Sequence, residues 1–101
     1  MRPVLYSDVS AAARVLTALP EPARRKTCVQ MIEQADIADR YVRRMARLHP
    51  MWGNGTLAAV ARLHSLGPEH SFDDPAFSQC FALVLHSLRA RRAEKGHVSP
   101  A

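Results

Sequence analysis

A chain of 101 residues has room for one domain with one hydrophobic core and needs no disulfide or metal staple. Its 48% hydrophobic and 23% charged residues are ordinary for a soluble globular protein, and the absence of a signal-type or bilayer-length apolar run points away from export and membrane spanning. The formal charge of +5, set by twelve arginines and two lysines against nine acidic residues, permits an anionic partner without requiring one.

Ser7 is placed to cap a first helix over residues 8–19, in which Val9, Ala12, Ala13, Leu16 and Leu19 recur at helical spacing and form one apolar face. Pro20 and Pro22 close that helix and open a second, because proline is tolerated in a first turn where no N–H donor is needed. The second helix is expected over residues 22–48, the longest element and the spine of the bundle. Cys28, Met31, Ile32, Ala35, Ala38, Val42, Met45 and Ala46 share its apolar arc. Its other flank carries Arg40, Arg43, Arg44 and Arg47. Asp36–Arg40 and Asp39–Arg43 stand in the favourable acid-first i,i+4 order.

Pro50 stops the second helix, and Thr56 caps a short third one over residues 57–66 with Leu57, Val60 and Ala61 inward. Gly67-Pro68 breaks it. Asp74 as cap and Pro75 as first helical residue then start a fourth helix over residues 75–95, with an apolar stripe of Phe77, Cys80, Phe81, Val84, Leu85 and Leu88. Arg89, Arg91, Arg92 and Lys95 suit the negative end of its dipole, and Gly96 suits the position just past its end. The expected architecture is an all-α bundle of about four helices in one domain over residues 1–95, with 96–101 as a flexible tail.

Between the second and third helices lies HPMWGNGTL, residues 49–57. Gly53, Asn54, Gly55 and Thr56 ahead of a helix resemble a nest of backbone N–H groups for an anion, and Trp52 has the flat face a ring ligand would stack on. The stretch has no GK[ST] and no preceding strand, so it is not a nucleotide P-loop. The plainer reading is a structured hinge. Glycines supply positive φ, Thr56 caps, and Trp52 folds back over the helix ends with His49 as its partner.

MRPVL, DVSAAARVL, ADRY, LHPMWGNGTL and FDDPAF together resemble a family of short, uncharacterised α-proteobacterial helical proteins. The resemblance spans nearly the whole chain. It implies no activity, cofactor or partner.

Asp39 falls in the middle of the second helix's apolar arc and His64 on the inward arc of the third. A carboxylate so placed must find a partner. One arrangement is an Asp39–His64 pair near Trp52, able to do acid–base work in a pocket. The other has Asp39 bonded to Arg43, the Trp52 indole or loop N–H groups, locking the hinge. Five histidines show no metal-ligand spacing, the serines lack nucleophile context, and Cys28 and Cys80 fall on apolar arcs as buried reduced thiols. No metal, cofactor or catalytic set is expected.

The best candidate surface is the stripe Arg40, Arg43, Arg44 and Arg47, with the loop His49 to Thr56 beside it. Val15, Ile37, Leu63 and Leu83 read as outward apolar residues and suggest a partner or a second copy. These features rank a non-enzymatic cytoplasmic protein-interaction module first and a nucleic-acid-binding regulator using the arginine face second. A small enzyme with a pocket near Asp39, His64 and Trp52 comes third.

Overall fold

The computed structural model describes the backbone of residues 1–98 and the side chains of 1–94. Four helices follow in order: α1 Tyr6–Thr17, α2 Glu21–Met45, α3 Leu57–Ala61 and α4 Pro75–Val98. The described residues are predominantly helical, and no strand occurs among them, only one isolated bridge pair, His49 and Gly53. None of the helices is long and apolar enough to cross a membrane among the described residues.

The short first helix, not α2, lies at the centre. α1 packs on α2, α3 and α4, whereas the backbones of α3 and α4 do not come together among the described residues. Residues on every side of α1 are buried, from Asp8 to Ala13 and then Val15 and Leu16. Three consecutive alanines, Ala11 to Ala13, let neighbouring backbones approach closely around this helix. Val15 is therefore a core residue and not an outward one. The core continues through Cys28, Met31, Ile32 and Ala35 of α2, Leu57, Ala58, Val60 and Ala61 of α3, and Phe77, Cys80 and Val84 of α4.

Helix ends depart from the sequence pattern where tertiary partners take over. α1 begins two residues before the expected boundary, because Leu5 rather than Ser7 is its cap and the Leu5 N–H donates to Asp8 Oδ2 at 2.8 Å. Asp8 is buried, and its Oδ1 accepts from the Ala58 N–H at 2.9 Å. One carboxylate thus satisfies orphan donors at the starts of both α1 and α3. α2 stops at Met45 because Ala46 adopts a left-handed conformation, φ 55°. α3 has five residues, held by Thr56 Oγ1 accepting from the Ala59 N–H at 3.1 Å. Asp74 caps α4 as expected, with Oδ1 accepting from the Ala76 and Phe77 N–H groups at 2.9 and 3.1 Å. The helix continues through Gly96 to Val98, since a single interior glycine costs only about 1 kcal/mol relative to alanine. Residues 99–101, the end of the expected tail, lie outside the described residues.

Cys28 and Cys80 are both free and buried. Burial pushes the Cys28 thiol up, a hydrogen bond with Ser87 opposes it, and the neighbouring Cys80 adds a smaller upward push. An acid whose folded pKa exceeds its unfolded value contributes stability that is complete below the unfolded value, about 8.5. That contribution is lost as pH rises through the folded one. Native protein at pH 8 is expected to react with an aromatic disulfide reagent only as fast as it opens, and urea is expected to release two thiols at once. Rapid titration of Cys28 in the native state contradicts this packing.

Candidate functional site

The charged centre of the molecule is a carboxylate pair one helical turn apart on α2. Asp36 and Asp39 are both buried. Asp36 Oδ1 meets the α-ammonium of Met1, and its Oδ2 accepts from Arg91 Nε of α4. Asp39 Oδ2 lies 3.1 Å from the same ammonium and 3.1 Å from Arg43 Nη2. Arg2 Nε approaches Asp39 Oδ1 at 3.9 Å. The N-terminal segment is laid across α2 and fastened there, a role that the sequence pattern did not assign to it. The available signal was Asp39 on an otherwise apolar arc, with a second acid, Asp36, one turn before it.

Asp39 and His64 are not brought together. His64 is exposed in the turn that follows the shortened α3, and Asp39 is saturated by cations. The expected inward position of His64 assumed a helix to residue 66, whereas α3 ends at Ala61 and the next residues turn away. The buried acid–base pair is thus corrected to an ion-paired Asp39. Its Arg43 contact is the one expected from i,i+4 spacing.

The hinge is closed by its own bonds. His49 and Gly53 exchange backbone hydrogen bonds of 2.9 and 3.2 Å, and His49 Nδ1 accepts from the Met51 and Trp52 N–H groups at 3.0 and 3.1 Å. The Trp52 indole stacks on His49 with ring centroids 4.9 Å apart and planes within 10°, and Tyr41 meets His49 edge-on. Trp52 also packs against the core cluster. Asn54 Oδ1 accepts from both the N–H and the hydroxyl of Thr56, at 3.0 and 2.8 Å. The Gly53, Thr56, Ala58 and Ala59 N–H groups therefore donate internally, to His49 O, Asn54 Oδ1, Asp8 Oδ1 and Thr56 Oγ1, and the anion at the start of α3 is the protein's own Asp8.

Beyond Asp39, α2 leaves the core. Arg40, Arg43, Arg44 and Arg47 are exposed, together with Met45, Leu48 and Met51. Met45 and Ala46 thus face solvent and not the interior. Arg43 is tied to Asp39, while Arg40, Arg44 and Arg47 make no salt bridge among the described residues. Four cations and three large apolar side chains are thus exposed between residues 40 and 51, over the last turns of α2 and the start of the hinge. Of the other residues expected to face outward, Ile37 and Leu63 do so, and Leu83 packs against the core.

No curated protein and no solved structure matches the chain. A family model described as a domain of unknown function, DUF7742, matches residues 2–88. That span holds the capping Asp8, both central carboxylates, the arginine flank and the hinge. The chain is a member of the DUF7742 family.

Proposed function

We propose that this protein is a small, non-enzymatic cytoplasmic module that binds an acidic, amphipathic segment of a partner protein through the projecting end of α2. One observation carries the reading: Arg40, Arg44 and Arg47 stand exposed, without a salt bridge among the described residues, and alternate along the chain with the exposed apolar Met45, Leu48 and Met51. Exposed lone cations are ordinary. Cations interleaved with large apolar groups form the mixed surface that a helix of acidic and apolar residues covers, with charge setting the register and apolar burial supplying affinity. Two buried free thiols suit a reducing compartment, which supports the cytoplasm. The resemblance set out above supports an α-proteobacterial range for the family.

The second reading is a nucleic-acid-binding regulator using the same arginines. Trp52, the side chain best suited to stack on a base, already stacks on His49, and this favours the protein partner. The test is fluorescence anisotropy with a labelled Glu/Leu amphipathic peptide, duplex DNA and single-stranded RNA at two salt concentrations. The variant is Arg40→Glu/Arg44→Glu/Arg47→Glu, which spares the structural Arg43. Peptide binding that falls by more than about tenfold in the variant, roughly 1.4 kcal/mol, is the expected result. Nucleic-acid binding that drops steeply with salt and vanishes in the variant replaces the reading with its alternative. Binding of neither, or binding indifferent to the variant, removes the arginine surface as a functional site.

A further inference from the structure

A groove of about 780 Å³ runs between the N-terminal segment with the start of α1 and the outer face of α4. Its apolar walls are Val4, Leu5, Tyr6, Phe81, Leu85 and Leu88. The stripe on α4 that the sequence assigns wholly to the core is therefore divided. Phe77, Cys80 and Val84 are buried under α1, whereas Leu85 is 44% exposed. Facing it, Leu5 is 66% and Tyr6 59% exposed. Tyr6 rests on Phe81 with ring centroids 5.8 Å apart, and Phe81 in turn meets the exposed Phe72 edge-on at 4.9 Å. These aromatic contacts give one side of the groove a firm wall.

The charges of the groove are concentrated on α4 after Leu88. Arg89, Arg91 and Arg92 line it there. Arg91 is committed to Asp36 on the floor, where Asp36 also holds the Met1 ammonium. Arg89 and Arg92 make no salt bridge among the described residues. From Phe81 to Arg92 the helix advances roughly 16 Å at its usual rise. The site is thus an apolar trough ending in two unbridged guanidiniums, with a volume inside the range of small-ligand sites, about 300 to 1,000 Å³.

We propose that this groove binds a single-chain anionic amphiphile, its hydrocarbon tail along Leu5, Phe81 and Leu85 and its carboxylate or phosphate head on Arg89 and Arg92. The charge decides the class. A neutral apolar ligand gains nothing from the two solvated guanidiniums, a cationic one is repelled by them, and an anion takes charge-assisted bonds from both. The tail covers the exposed leucines and Tyr6, and removing that surface from water drives binding.

The test is isothermal titration calorimetry of the full chain with dodecanoate, dodecyl phosphate and dodecyltrimethylammonium, all below their micelle concentrations. The expected result is saturable one-to-one binding of at least one anion, with no saturable binding of the cation. Dodecanoate against dodecyl phosphate distinguishes a fatty-acid head from a phosphate head. Leu85→Lys and Arg89→Glu/Arg92→Glu are each expected to weaken the anion on the order of tenfold or more. Lys26→Glu, an exposed charge reversal outside the groove, leaves the affinity unchanged. Leu5→Lys replaces Leu85→Lys if the latter lowers stability, since Leu5 is the more exposed. No saturable anion binding, equal affinity for the cation, or affinities indifferent to all three groove variants overturns the proposal. None of these outcomes bears on the arginine surface of α2, which neither ligand nor variant touches.

Discussion

Asp39→Ala is expected to destabilise the protein by about 3 to 5 kcal/mol, the usual cost of removing one partner from a buried ion pair. The Asp39 side chain is only 4% exposed, and it sits between the Met1 ammonium and Arg43. Arg43 is 71% exposed, so water replaces that partner readily and this arm contributes little. The cost arises at the ammonium, which is left with Asp36 alone to compensate it in a largely buried place. Asp39→Asn keeps the shape and an acceptor but not the charge, so an intermediate loss is expected. Acetylating the Met1 amine removes the same interaction from the other side, and its effect combined with Asp39→Asn should be less than additive. Urea unfolding of the four species measures this. A loss below about 1 kcal/mol for Asp39→Ala means that the N-terminal segment is not fastened through this residue.

The second large effect is expected at the hinge. Gly55 has φ +93°, and a Cβ added there lies 2.6 Å from Asp39 Cα and 3.0 Å from Asp39 N. Those are backbone atoms of a helix and cannot rotate aside. Gly55→Ala therefore combines backbone strain with a clash, each about 1 to 3 kcal/mol. The Gly55 carbonyl also accepts from the Arg2 N–H at 3.2 Å, so displacing the loop unseats the N-terminal segment as well. Gly53 is the internal control. Its φ is +80°, but the nearest atom to an added Cβ is the Ala59 methyl at 3.3 Å. Gly53→Ala is expected to cost mainly the left-handed strain, about 1 to 2 kcal/mol. In thermal melts each kcal/mol corresponds to roughly 4 to 8 °C for a domain of this size. Equal shifts for the two variants contradict the close packing of the hinge on α2.

Much of this fold was legible in local pattern. The 3-4 spacing of apolar residues, the prolines at helix starts and the capping residues Thr56 and Asp74 mark four helices, and all four are present. These are nearest-neighbour effects, in which a side chain reaches the N–H groups two or three residues on, or an apolar face repeats each turn. The hinge was legible for the same reason, since the left-handed glycines and the Asn54–Thr56–Ala59 relay act over a few residues.

The errors occur where a distant residue competes with the local rule. Ser7 is a good cap in isolation, yet Asp8 serves both Leu5 and Ala58, the latter fifty residues further along the chain. Met45 continues an apolar arc, but it lies beyond the part of α2 that meets the core and is 44% exposed. His64 belongs to an inward arc only if α3 continues, and α3 stops after five residues. The groove could not be anticipated from α4 alone, because Leu85 and Val84 are equally apolar and differ only in whether α1 covers them.

The sequence by itself determined that the chain is helical, roughly where each helix lies, and which residues form the turns between them, because those properties depend on contacts within about one turn of chain. Only the tertiary structure decided which helix is central, where Met1 is fastened, and which half of each apolar stripe is covered. Burial and ion pairing depend on which surfaces meet across the fold, and residues 1, 36, 39 and 91 share one charged cluster although they are spread along nearly the whole chain.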